Sequence, residues 1–79
     1  MKTSDKQRQA TIANVAKALR EARECQGLSM SAVAERAGLS QQMVSYVERQ
    51  MRMPTLDTLL RICKALEADL PEILRNAQK

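Results

Sequence analysis

An all-α fold is what these 79 residues specify, on three grounds. Alanine, leucine, glutamine, arginine and glutamate recur along the chain, and all favour helix over strand. The two glycines and two prolines stand at or beside the points where one apolar pattern stops and the next starts. Between those breaks, apolar residues return three or four apart, the period of a helix with one buried stripe.

The elements follow in order. Residues 1–7 are polar and unpatterned, which reads as a flexible arm ahead of one domain spanning residues 8–79. From Arg8 to about Gln26, the side chains of Ile12, Val15, Ala16, Leu19, Ala22 and Arg23 share a stripe. Gly27 can take the left-handed conformation that ends this helix. Ser29 is placed to cap a short second helix from Met30 to Ala37, whose Val33, Ala34 and Ala37 face one way before Gly38 stops it. Ser40 is the next cap, and the helix it opens runs from Gln41 to about Gln50, where "MRM" and Pro54 break the pattern. Thr55 caps a fourth helix ending near Glu67, with Asp57 close to its positive end. Its expected buried stripe is Leu56, Leu59, Leu60, Cys63 and Leu66. Asp69 with Glu72 three residues later resembles a capping box, and Pro71 is tolerated in a first turn, so a fifth helix carries Leu70, Ile73 and Leu74.

Thirteen Lys and Arg against nine Asp and Glu leave a net charge of +4, which suits a polyanionic partner or simply a soluble basic surface. Cys25 and Cys63 stand far apart and histidine is absent, so neither a metal nor any other cofactor is expected. With no glycine-rich phosphate loop and no paired-carboxylate cleft, no nucleophile or acid–base partner can be nominated, and an enzyme is the least favoured class. No apolar run approaches the roughly 20 residues that span a bilayer, and "MKTSDKQRQ" leads into no hydrophobic signal core. Reduced thiols in a cytoplasmic protein, away from membranes, are the expectation.

The second helix, the turn of Gly38, Leu39 and Ser40, and the third helix form a helix-turn-helix arrangement. Around it stand the arginine of "LREAR", the "GLS" ahead of the second helix, "AERAGLS", the glutamate of "VER", the proline of "RMP" and the "TLDTLLRICKAL" helix. In this combination, across residues 12–74, the chain resembles the Cro/phage-repressor family of helix-turn-helix proteins, also called the xenobiotic-response-element family. The resemblance implies a five-helix, lambda-repressor-like domain that regulates transcription by binding double-stranded DNA. Its stand-alone build is similar to that of the small controller proteins of restriction–modification systems, and phage or plasmid repressors and antitoxins share it.

The third helix can be tested by geometry. At about 100° per residue, Gln41, Gln42, Ser45, Tyr46 and Arg49 fall within a sector of roughly 0° to 140°, with Met43, Val44 and Val47 opposite. A carboxamide both donates and accepts, matching the adjacent acceptor and donor on the major-groove edge of adenine. Taken alone, such a face is equally a solvated helix surface. The resemblance is what assigns Gln41, Gln42, Ser45 and Tyr46 to bases or nearby phosphates. Phosphate contacts are expected from the helix-start amides at Ser29 and Met30 and at Ser40 and Gln41, and from Arg49 and Arg52. Met30 stands where the family often has glutamine, and Gln50 where it commonly has glycine, which bears on the turn that sets the reach of Arg52. Arg23 and Glu48 both lie toward the apolar side of their helices and match an interhelical ion pair of the family.

One reader helix covers few base pairs, and a two-fold partner places a second about 34 Å along the duplex. A homodimer on an inverted repeat is therefore expected, with the apolar surface left over on helices four and five, Ile62, Leu70, Ile73 and Leu74, as the interface, some of these also closing the core. Without an effector domain no small-molecule ligand is expected, and regulation follows protein concentration. The competing class is a protein-interaction module, coactivator-like or antitoxin, which exposed methionines would suit.

Overall fold

The computed structural model describes residues 5–79 as five helices: α1 Asp5–Cys25, α2 Met30–Ala37, α3 Gln41–Glu48, α4 Leu56–Leu66 and α5 Leu70–Ala77. No strand occurs among the described residues. Each predicted cap forms at the start of its helix. The Ser29 hydroxyl accepts from the Ala32 amide at 3.0 Å, Ser40 from Met43 at 3.0 Å and Thr55 from Thr58 at 3.1 Å. A carboxylate oxygen of Asp69 accepts from the Glu72 amide at 3.4 Å. Each removes one orphan amide from a first turn.

Four helices also end alike. Gly27 (φ +69°) and Gly38 (φ +70°) turn left-handed after α1 and α2, and Gln50 (φ +59°) and Glu67 (φ +54°) do the same after α3 and α4. The next amide then reaches back: Leu28 to the Arg23 carbonyl at 3.1 Å, Leu39 to Ala34 at 2.9 Å, Met51 to Tyr46 at 2.9 Å and Ala68 to Cys63 at 2.8 Å. These bonds satisfy carbonyls that the helix leaves open. α3 consequently stops at Glu48, two residues short of the expected end.

α1 departs from expectation at its other end. Asp5, Lys6 and Gln7 are helical rather than part of a loose arm. Asp5 sits favourably at the positive end of the helix, the Arg8 guanidinium lies 3.6 Å from its carboxylate, and the Thr11 hydroxyl donates to the Gln7 carbonyl at 3.1 Å. None of this requires a buried face, so apolar periodicity misses it. Residues 1–4, the remainder of the expected arm, lie outside the described residues.

Leu19 of α1, Val33 of α2 and Val44 of α3, each 1% exposed, form the centre of the core. Ile62, Cys63 and Leu66 of α4 and Leu70 of α5 close around them. Here two sequence readings are corrected. Leu56 (64% exposed) and Leu60 (52%) lie outside the buried stripe of α4, whereas Ile62 (2%) belongs to it. The apolar residues of α4 spread over more of its circumference than its neighbours cover, so contact rather than pattern decides which are buried. For the same reason Ile62 and Leu70 (6% exposed), expected at a dimer surface, are committed to the core. Ile73 is half-buried, and of those four only Leu74 is exposed.

α1 and the residue that follows it also fasten the later helices by their C-termini. The Gln26 side-chain amide donates to the Leu66 carbonyl at 2.6 Å, and that of Asn14 donates to the Ala77 carbonyl at 3.0 Å. Both cysteines are free. Burial, and after it the charge of Asp69, pushes the Cys63 thiol up, which keeps it protonated as a small core filler.

The left-handed glutamate makes a clean test. Glu67 is exposed, and its Cβ crowds the backbone in that conformation. Glu67→Gly is expected to stabilise the fold by about 0.5–1 kcal/mol, the steric relief minus the extra backbone entropy of glycine, read from the urea midpoint.

Candidate nucleic-acid interface

α3 divides into two faces. Val44 and Val47 are buried, Met43 packs against the core, and Gln41, Gln42 and Arg49 are exposed beside half-buried Ser45 and Tyr46. Neither carboxamide is covered by the rest of the chain. The turn that sets this orientation is short: Gly38 accepts the left-handed conformation, Leu39 packs on the core, and Ser40 caps α3. A Cβ at Gly38 would also lie 3.3 Å from a terminal nitrogen of Arg61, so glycine suits both the dihedral and the space.

The outward residues share one shallow depression, lined by Met30, Gln41, Gln42, Ser45, Tyr46, Arg49 and Met51. Arg52 joins it from the loop after α3, its guanidinium 5.7 Å from the centroid of the Tyr46 ring, within cation–π range. The loop gets there through Gln50, which adopts the left-handed conformation despite its side chain. Ser29 and Ser40 sit at the starts of α2 and α3, where their hydroxyls already serve their own helices. First-turn amides at such helix starts are the groups that favour an anion. Met30, at the first of these positions, is half-buried against the core.

Half of the arginines are paired: Arg8, Arg20 and Arg61 each lie within 4 Å of a carboxylate, of Asp5, Glu24 and Asp57 respectively, and Arg23 is bound to Glu48. Arg36, Arg49, Arg52 and Arg75 form no ion pair among the described residues, and two of these four, Arg49 and Arg52, stand beside the depression.

One charged pair holds the whole face in place. Arg23 of α1 donates from Nε to Oε2 of Glu48 at 2.7 Å and from Nη2 to Oε1 at 3.0 Å, and its Nη1 donates to the Leu28 carbonyl at 2.9 Å. The two side chains are only 12% and 5% exposed. The hydrogen bond to Glu48 raises the Arg23 pKa further above its usual value, against the opposing effect of burial. The end of α3 and the loop before α2 are thereby bound to the same guanidinium.

One member of the site escaped sequence reasoning. The Ser31 hydroxyl donates to the carboxamide oxygen of Gln41 at 2.7 Å. No periodicity marks it; only a helix-turn-helix arrangement that sets the starts of α2 and α3 side by side would have pointed to Ser31. Met51, one of the methionines whose role the sequence leaves open between simple exposure, thymine methyls and a protein partner, borders the depression.

A helix-turn-helix family profile matches residues 19–73, which span α2, α3 and α4. The chain belongs to the Cro/C1-type helix-turn-helix family. It is 37% identical over 60 residues to the control protein C.SmaI of Serratia marcescens, covering 76% of this chain and 71% of that protein. Over 48 residues, 61% of its length, it is 46% identical to the uncharacterized HTH-type transcriptional regulator Rv0474 of Mycobacterium tuberculosis H37Rv, and the match spans only 34% of that protein. Among solved structures it is similar to the restriction–modification controller protein C.AhdI from Aeromonas hydrophila, with a TM-score of 0.73 at 33% identity, covering 80% of this chain and 94% of that one. No described helix is long and apolar enough to cross a membrane.

The buried pair yields a prediction. Arg23→Ala leaves the Glu48 carboxylate buried without its partner and is expected to cost about 3–5 kcal/mol in chemical denaturation. Arg61→Ala, which removes an exposed pair with Asp57, is expected to cost less than about 1 kcal/mol on the same measurement.

Proposed function

We propose that this chain reads base sequence in duplex DNA through Gln41, Gln42 and Ser45 of α3, with Tyr46 beside them, and acts as a homodimer on an inverted-repeat operator. The observation that carries this reading is the pair of uncovered carboxamides on the outward face of α3, flanked by Arg49 and Arg52 without acidic partners. An α-helix fits the major groove, and a carboxamide matches the adenine edge there. Arg49, Arg52 and the amides at Ser29, Met30, Ser40 and Gln41 supply phosphate contacts, which give affinity and register but no sequence information.

The dimer surface is redrawn by burial. Leu56, Leu60, Leu74 and Met53 are 64%, 52%, 38% and 63% exposed. Beside them an apolar hollow of about 170 Å³ is lined by Ile12, Val15, Met53, Leu59 and Leu74 among others. A face of this kind on so small a domain is suited to a second copy, and a two-fold pair spaces two α3 helices about one DNA turn apart. The likeness to two controller proteins of restriction–modification systems favours a controller of that type.

Selection from random duplexes at two salt concentrations tests the reading. The expected product is an inverted repeat with half-sites about 10 base pairs apart, centre to centre. Binding that falls with salt but prefers no sequence rejects it and favours the protein-interaction module. Gln41→Ala and Gln42→Ala are expected to relax preference at single positions. Arg52→Ala is expected to weaken all duplexes alike and to lower the salt slope by about 1.

The interface has its own test. Leu56→Glu combined with Leu60→Glu is expected to turn a micromolar dimer into a monomer in sedimentation. A wild-type chain that stays monomeric with and without DNA excludes the homodimer.

A further inference from the structure

Two methionines stand exposed on the loop after α3, and they belong to different surfaces. Met30 and Met43 pack against the core. Met53, 63% exposed, lines the apolar hollow with Ile12, Val15, Leu59 and Leu74. Met51, 57% exposed, borders instead the depression that holds Gln41, Gln42, Ser45 and Tyr46. Its backbone is fixed there: Gln50 turns left-handed, and the Met51 amide donates to the Tyr46 carbonyl at 2.9 Å. A single exposed apolar side chain needs no explanation on most surfaces. This one shares a depression with the hydrogen-bonding groups of α3, and it has neither a charge for a phosphate nor a donor for a base edge.

We propose that Met51 is a specificity-determining residue whose thioether packs against the C5 methyl of one thymine in each half-site; this rests on the reading of the outward face of α3 as the base-reading face. The major-groove edges of the base pairs carry donors and acceptors, and the thymine methyl is the one apolar group among them. A carboxamide on the adenine edge of an A·T pair is satisfied by the adenine and takes no account of that methyl. An apolar side chain in the same depression adds what the amides lack. It gains when the methyl is covered, and it leaves the amino group of a cytosine in that place without a hydrogen-bond partner. Methionine suits such a contact, because its unbranched, polarizable chain has three rotatable bonds and fits an irregular surface. The backbone bond to Tyr46 holds the base of that chain against the end of α3, so the reach is left to the side chain alone.

The test uses the full chain as wild type, Met51→Ala and Met51→Leu, bound to the selected operator and to copies in which each thymine in turn is replaced by deoxyuridine. That exchange removes one methyl and leaves every hydrogen-bonding edge as it was. The wild type is expected to lose about fourfold in affinity at one thymine of each half-site, the size of one buried methyl. Met51→Ala is expected to bind the unmodified operator about fourfold more weakly per half-site and to bind thymine and uracil equally at that position. Its response at every other thymine stays that of the wild type. Met51→Leu keeps the distinction, and neither the salt slope nor the thermal midpoint moves in either variant. A wild type that prefers a sequence but tolerates uracil at every position overturns the proposal, as does a Met51→Ala chain that keeps the whole wild-type response to uracil. A wild-type chain without any base preference overturns instead the reading of α3 beneath it, so the two failures are distinguishable.

Discussion

The guanidinium of Arg23 is the constraint on which the rest of this structure depends. It occupies three acceptors at once, two on Glu48 at the end of α3 and the carbonyl of Leu28 before α2. A lysine could not replace it, because a point charge on a flexible stem lacks the fork that meets a carboxylate on two prongs. The core around it is built from small aliphatic side chains, and the chain has one tyrosine and neither phenylalanine nor tryptophan. Such a core fills space but offers few shapes that register one helix against another. A buried, directional pair supplies that registration, at the desolvation cost every buried ion pair carries.

Short connections do the remaining positioning. Four helices end in a left-handed residue followed by an amide that turns back on the helix it leaves, so each loop begins from the same geometry. Glycine makes this easy at Gly27 and Gly38; Gln50 and Glu67 do it against their own Cβ atoms. At Gln50 the conformation brings the following loop back over α3, which is how Arg52 comes to lie on Tyr46. A strained backbone residue thus sets the reach of a cation two positions away.

Much of this was legible in the sequence, and the exceptions share a physical cause. Ser29, Ser40, Thr55 and Asp69 announced their helices because a cap is a local event between residues three apart. The inward face of α3 followed from period alone, and the bond between Arg23 and Glu48 from family resemblance. What failed was whatever depends on another element. Leu56 and Leu60 belong to an apolar pattern wide enough for two faces, and only the placement of the neighbouring helices decides which face is covered. Ile62 and Leu70 were misplaced for the same reason. Asp5 to Gln7 form helix through local charge and hydrogen bonding, which leaves no apolar trace. The bond from Ser31 to Gln41 joins two elements through exposed polar atoms and has no periodic signature.

The separation of the two faces of α3 bears on how such a protein can change over generations. Gln41 and Gln42 are exposed, while Val44 and Val47 on the other side of the helix fill the core. Exchanges at exposed positions of this kind typically alter stability by no more than about 0.5 kcal/mol. A lineage can therefore rewrite the outward surface while inheriting the scaffold intact. Divergent descendants would be recognisable by what they keep, the aliphatic side and the arginine clasp, and distinguishable by the few side chains they trade.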